Sequence, residues 1–406
     1  MRAVPGTVSV GAAVAGPTRY DELTLVRDGD GWILGSPRSA DFLAVPELGG
    51  SIVRWLQEGW DVGRCEARAA DVAGEPVDVA GFLAELESAG LLAAPGEAPA
   101  PAVRTGPPRG RWLGRLLFGP AGVTVQCSAA LLGAAVLVAR PDLRPHWSDA
   151  IVTSVPLASI LIMTVVGVAG GLVHEAAHYL AAARRSVPSS ISMGRRLFTI
   201  VYQTDLTRLW TLPRRQRFLP LVAGMLIDAA IAGGLLVLLA GPLQDAHPLI
   251  VDVVRAVVFT RLVGIAFQAA AFMRTDLYAI LAVASGCRNL WATKGAVARR
   301  LIGRATADDV THLESVSRAE IRWGTAYLVL YVPGIVAGTW YFAAFALPAL
   351  WAILLMATGA VAQHGLLSLL GAAGAVATVL AVVPTGLMLV DAGRSALRVV
   401  RRLGSG

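Results

Sequence analysis

Apolar residues in this chain gather into long runs over its C-terminal three quarters and into shorter periodic patterns near its start. Segments 119–139, 150–183, 218–241, 250–285, 325–348 and 366–391 are long enough to cross a bilayer, which takes about 20 residues at roughly 1.5 Å each. The fourth exceeds what a span needs and contains Arg255 and Arg261, so it predicts either strong tilt or an interfacial beginning. Upstream, Leu23-Thr24-Leu25-Val26 and Trp32-Ile33-Leu34 flank Asp28-Gly29-Asp30-Gly31, a hairpin signal, and 41–45 is a third β-type run ahead of Pro46. Ile52, Val53, Leu56 and Trp60 then share one helical face, and 77–92 is a second amphipathic helix. Residues 94–108, rich in Pro, Ala and Gly, read as a linker. Between the second and third spans, the β-branched and aromatic run 198–202 favours strand, and 187–206 predicts a hairpin at the membrane edge. The fold class expected is mainly α: a polytopic membrane helix bundle of about six spans over 117–402, a linker over 96–116, and a small N-terminal α+β domain over 1–95.

Composition supports the membrane reading. Hydrophobic residues make up 55% and charged residues 16%, against roughly 25% charged in soluble domains, and mean hydropathy is +0.61. An ordinary soluble, disordered or collagen-like chain is thereby excluded. Residues 1–99 hold 7 basic and 15 acidic side chains, net −8, and the rest hold 28 and 13, net +15. The arginines cluster before the first span, between the second and third, between the fourth and fifth, and after the sixth. By the positive-inside rule this puts both termini in the cytoplasm of a multi-pass cell-membrane protein, with the lipid bilayer as its surroundings. The start lacks the sustained apolar stretch of a signal peptide. An acidic N-terminal region repels phosphate, so nucleic acid is not expected as a partner. Cys65, Cys127 and Cys287 are odd in number and widely spaced, which supplies no disulfide framework.

The chemistry is carried by His174-Glu175-Ala176-Ala177-His178 in the second span. Spacing i, i+4 puts both imidazoles on one helical face, where they can bind one zinc ion, and Glu175 is placed to act as general base. A charged residue in hydrocarbon costs at least about 2.5 kcal/mol on insertion scales, so these polar side chains within an apolar run call for a function. A catalytic zinc needs a third protein ligand. Asp228 and Asp276 are the candidates among the intramembrane acids, and their distances along the chain from cytoplasmic arginines permit either.

These residues resemble the site-2 protease family of intramembrane zinc metalloproteases. In that family a later Asp-containing segment supplies the third ligand, and Arg274-Thr275-Asp276-Leu277-Tyr278 stands in its place, which puts Asp276 forward. The family's Pro and Gly are missing there. Ala223-Gly224-Met225-Leu226-Ile227-Asp228 resembles the family's Ala-Gly-Pro-x-x-Asn segment, where small residues let helices approach closely. Asp228 is then expected to orient substrate or a ligand, or to pair with Arg261 or Arg274. Arg274 is a candidate to hold the Asp276 carboxylate or to stabilise an oxyanion. Residues 20–93 resemble the PqqD-like winged-helix domain, a leader-recognition module of ribosomal peptide maturation, through Pro46-Glu47, Ile52-Val53-Arg54-Trp55-Leu56 and the run 77–83. Together these resemblances imply an intramembrane zinc endopeptidase that removes the leader of a ribosomally made precursor peptide. Regulated proteolysis of a membrane-bound regulator and a non-catalytic peptide-binding scaffold are the alternatives.

Overall fold

A computed structural model describes residues 18–29, 31–36, 42–94, 108–196, 199–269, 274–287, 289–341, 343–344, 347–379 and 390. The chain divides into two compact units, Met1–Gly106 with Thr207–Arg214, and Pro107–Leu206 with Arg215–Gly406.

The first unit holds strands β1 (Thr24–Asp28), β2 (Gly31–Gly35) and β3 (Phe42–Pro46) and helices α1 (Glu47–Gln57), α2 (Val62–Ala73) and α3 (Val79–Ser88). The strands form an antiparallel sheet in the order β1-β2-β3. The expected hairpin is present, with Asp28 opposite Gly31 and Gly29 at φ 62°, a left-handed conformation that glycine adopts without strain. Leu34, Val53, Leu56 and Leu86 are fully buried in one core against this sheet, each contributing roughly 1.5–3 kcal/mol. Helix α2 was not anticipated from the pattern. Its buried face consists of Cys65 and Ala69, small side chains that give a weak apolar period, and its ends are set by Asp61, which accepts from Arg64 N–H, and by Gly74 at φ 75°. Helix α1 stops at Gln57, so Trp60 lies beyond it and stacks on Trp55 at 5.6 Å between ring centroids.

The second unit contains α4 (Arg111–Phe118), α5 (Pro120–Ala139), α6 (Pro156–Arg184), β4 (Ser190–Arg196), β5 (Thr199–Asp205), α7 (Arg214–Leu239), α8 (Pro248–Gln268), α9 (Asp276–Ser285), α10 (Leu290–Leu301), α11 (Ala307–Ser315), α12 (Arg318–Tyr341), α13 (Leu347–His364) and α14 (Leu369–Val379). Among the described residues four helices, α5, α6, α7 and α13, are long and apolar enough to cross a membrane. The first three coincide with expected spans. Two of the other three expectations require correction, and the third, 366–391, lies partly outside the described residues. Segment 250–285 is divided between α8, whose Asp252, Arg255 and Arg261 interrupt its apolar character, and the shorter α9. Helix α12 covers most of 325–348, but its Gly, Tyr and Thr residues keep it out of the group that can cross. Residues 349–365, expected as a connection, lie largely in α13, which continues without a charged residue until Gly365 turns the chain at φ 71°. Of 366–391, only α14 and residue 390 are described.

The linker expected over 96–116 falls outside the described residues as far as 107. Its arginine-bearing end is instead the amphipathic helix α4, packed on α6 so closely that a Cβ on Gly114 would collide with the Leu180 carbonyl. Helices α5 and α7 meet through Gly133 and Gly233, where a Cβ on either would strike the other backbone. Small residues at such a crossing let two backbones pack in direct contact. Phe118, Ala177, Ala181 and Ala223 bury together and seat the histidine-bearing turn of α6 against α7. The hairpin expected over 187–206 is present as antiparallel β4 and β5, with Ser190 opposite Asp205.

Candidate metal centre

The α-helical period puts His174 and His178 on one face of α6, with ring centroids 4.9 Å apart and Nε2 atoms 3.2 Å apart. Asp276, the first residue of α9, brings Oδ2 to 2.9 Å from His174 Nε2 and 3.1 Å from His178 Nε2. Its placement is fixed from α8. Gln268 Oε1 accepts from Asp276 N–H at 2.9 Å, and the Gln268 carbonyl accepts from the Thr275 hydroxyl at 2.8 Å. Arg274 has a left-handed backbone, φ 57°, and its guanidinium lies over the Trp291 ring, 4.7 Å from the centroid. Lys294 covers the same ring at 3.7 Å, and burial pushes its ammonium below the ordinary lysine value, with repulsion from Arg274 and Arg299 adding to the shift.

The far side of each imidazole is tied to α7. His174 Nδ1–H donates to Asp228 Oδ2 at 2.7 Å, and His178 Nδ1–H donates to the Pro220 carbonyl at 2.7 Å. Asp228 is buried, and its other oxygen accepts from Arg261 Nη1 at 2.9 Å. The expectation for Asp228 left two roles open, orienting a ligand and pairing with an arginine; one carboxylate does both. The arginine is Arg261 of α8. Its guanidinium occupies the space above Gly170, which any side chain at that position would fill.

Commitment of both Nδ1 hydrogens elsewhere leaves the Nε2 lone pairs pointing at each other and at a carboxylate oxygen. Three acceptors within 3.2 Å of one another repel unless a proton or a cation lies among them. His174, His178 and Asp276 thus form a group that can hold a metal ion, and the carboxylate and carbonyl behind the two rings are the partners that ligating histidines use to fix tautomer and orientation. Gly224 of α7 makes room for it. A Cβ there would collide with the His174 ring and come within 2.5 Å of His178 Nε2.

Glu175 points to another neighbour. Its Oε2 accepts from Thr204 N–H at 2.7 Å, and the Thr204 hydroxyl lies 2.7 Å from the same oxygen and 2.9 Å from the Glu175 carbonyl. Strand β5 therefore holds the carboxylate, and Glu175 lines the same cavity as His174. A cavity of about 690 Å³ opens beside this group between α6 and α8, with His174, Glu175, Asp228 and Arg261 on its polar side.

The three ligand candidates and Glu175 are brought together as expected from the sequence. Arg274 stacks on Trp291, where it anchors the segment entering α9. Pro220, Gly170, Thr204 and Gln268 carry no sequence signal: Pro220 acts through its carbonyl, Gly170 through absence of a side chain, Thr204 through its N–H and hydroxyl, and Gln268 through its carbonyl and an ordinary amide. Comparison with family models, curated proteins and solved structures finds no match to this chain.

Proposed function

We propose that the chain is a zinc endopeptidase that cuts peptide bonds within or beside a membrane. The observation that carries this reading is the convergence of His174 Nε2, His178 Nε2 and Asp276 Oδ2, with Glu175 lining the same cavity as His174. Ligands at the zinc–nitrogen length of about 2.0–2.1 Å in a tetrahedral arrangement sit roughly 3.3 Å apart, close to the separations of 2.9, 3.1 and 3.2 Å here. Two imidazoles and one carboxylate are a known donor set for catalytic zinc, which keeps a further position open.

A bound zinc ion supplies Lewis acidity toward the scissile carbonyl and lowers the pKa of water. The remaining work belongs to the chain. Glu175 takes the proton from the attacking water and returns it to the leaving amine, so that no net charge is released into an apolar environment. Thr204 positions that carboxylate through its N–H and hydroxyl, and Asp228 and Pro220 hold the imidazoles in the tautomer that leaves Nε2 free. These roles agree with the resemblance to site-2 proteases.

The acidic N-terminal unit, with its sheet edges at β1 and β3, is proposed as a winged-helix module that captures an extended leader peptide by strand addition. The favoured substrate is accordingly a ribosomally made precursor peptide. The arginine distribution supports a cell-membrane location with both termini cytoplasmic.

Metal analysis of the detergent-purified full chain tests the proposal together with cleavage of a panel of membrane-anchored peptides. One zinc per chain is expected, lost in His174→Ala/His178→Ala. Glu175→Gln should keep zinc and lose cleavage by roughly 10²–10⁴-fold. Cleavage undiminished in Glu175→Gln, or no zinc in the unaltered protein, rejects it.

A further inference from the structure

The cavity beside the metal group has an uneven wall. Its polar side is the set already described, and those polar groups engage one another: Asp228 with Arg261 and His174, and Glu175 with Thr204. The rest of the wall is mostly apolar, with Met163 and Val168 on α6 and Val263 and Phe267 on α8 set among Thr164, Tyr202, Thr260 and Gln268. Between these side chains lie Gly167 on α6 and Gly264 on α8, and a Cβ built on either meets no heavy atom within 4 Å. Glycine in a helix interior is less favourable than alanine by about 0.8–1.0 kcal/mol. At Gly133, Gly224 and Gly233 that cost has a packing reason, because a Cβ would collide, whereas Gly234 and Gly359 lie open as well. At Gly167 and Gly264 no neighbouring atom requires it. What the two glycines provide is volume, on opposing helices, in a cavity of about 690 Å³, within the roughly 300–1,000 Å³ range of small-molecule and side-chain sites.

We infer that this cavity is a specificity pocket for a large apolar side chain, of the leucine, methionine or phenylalanine class, next to the scissile bond, and that Gly167 and Gly264 set its size. The inference rests on the zinc endopeptidase reading above and adds the substrate class. An acidic side chain is excluded by Asp228 and Glu175 at the polar end. A basic one would enter a mostly apolar wall whose two carboxylates already have partners. Burial of a large apolar side chain gains about 0.8 kcal/mol per methylene, and a small side chain leaves the pocket mostly unfilled.

The test uses the zinc-loaded full chain in detergent and a series of N-acyl amino-acid hydroxamates, whose chelating group places the adjacent side chain beside the metal. Binding is read by calorimetry for the glycine, alanine, leucine and phenylalanine compounds. Leucine and phenylalanine are expected to bind roughly ten- to fifty-fold more tightly than alanine. Gly167→Leu and Gly264→Leu meet no atom at the new Cβ, so they are expected to fold and keep their zinc while this preference falls to about unity. Zinc bound normally with no side-chain preference in the unaltered protein overturns the pocket and leaves the endopeptidase reading standing. So does a preference unchanged in both leucine variants. Absence of zinc from the unaltered protein overturns both.

Discussion

Gly224→Ala isolates the space beneath the two imidazoles. Helix propensity alone makes alanine the better residue in α7 by about 0.8–1.0 kcal/mol. The added methyl, however, would overlap the His174 ring and lie 2.5 Å from His178 Nε2, where ordinary contact begins at 3.4 Å. One or both rings must therefore retreat by about 1 Å, several times the roughly 0.2 Å tolerance of a metal–ligand bond. Rotation in place does not relieve the overlap, because the Nδ1 atoms are held by Asp228 and by the Pro220 carbonyl at 2.7 Å each. Movement thus breaks either the ligand set or the hydrogen bonds that orient it, and loss of the latter alone typically costs about 10–100-fold in metal affinity. Zinc affinity of the purified full chain, measured by competition with a chromophoric chelator, is expected to fall at least 100-fold, on the order of that upper limit. Gly234→Ala on the same helix is the control, since a Cβ at that position meets nothing within 4 Å. Unchanged zinc affinity in Gly224→Ala refutes the placement of the two rings over this glycine.

Asp228→Ala removes both the acceptor for His174 and the counter-ion of the buried Arg261, so a loss of about 3–5 kcal/mol in unfolding free energy and of about 10–100-fold in zinc affinity is expected. Thermal unfolding in detergent and chelator competition read the two effects separately, and a variant matching the unaltered protein in both contradicts the bridging role. Trp291→Ala takes away the ring covered by Arg274 and Lys294, contacts worth about 0.5–2 kcal/mol each, and should weaken zinc retention by loosening the entry to α9. Trp291→Phe should restore most of it, and equal zinc retention in the Ala variant counts against this anchoring. Away from the apolar spans, Arg299 and the Thr306 N–H hold the Asp309 carboxyl below the usual carboxylate range. A depressed folded-state pKa contributes stability that is complete above the unfolded value of about 3.9 and is lost as pH falls through the folded value. The melting temperature should therefore decline below about pH 4 with a steeper slope than in Asp309→Asn, and coincident slopes refute the effect.

The candidate metal-binding face is legible because two histidines four residues apart on an apolar helix leave little choice of geometry. The third ligand was less so. Asp228 and Asp276 both lie at permitted depths, and Asp276 came forward through a family resemblance; the structure puts Asp276 Oδ2 against both Nε2 atoms and Asp228 behind one ring. Groups that orient the site were illegible for a physical reason. A carbonyl such as that of Pro220 belongs to every residue, a glycine such as Gly170 acts by what it lacks, and Thr204 reaches Glu175 only because β4 and β5 fold back onto α6. Boundaries failed where hydrophobicity was continuous. Residues 349–365 contain no charge to distinguish a connection from a helix, and the charges of α8 lie inside that helix, so they do not mark the break between Gln268 and Asp276.

The length of α6 bears on how the proposed hydrolase would obtain one of its two reactants. At 29 residues the helix extends about 44 Å, well beyond the roughly 30 Å of hydrocarbon in a bilayer. His174 and His178 are not near its middle. They precede Arg184 by ten and six residues, about 15 and 9 Å along the axis. With Arg184 at the headgroup boundary in the proposed placement, the bond to be cut lies at a depth that a short file of water molecules can reach from that side. Under the proposed activity each turnover would consume one of them, so resupply of water from that side would be part of every cycle. Shifting the motif by whole turns toward Pro156 would keep the spacing of the two imidazoles but carry them about 5.4 Å per turn from Asp276 and from the α7 groups behind the rings, so depth and ligand set are fixed together.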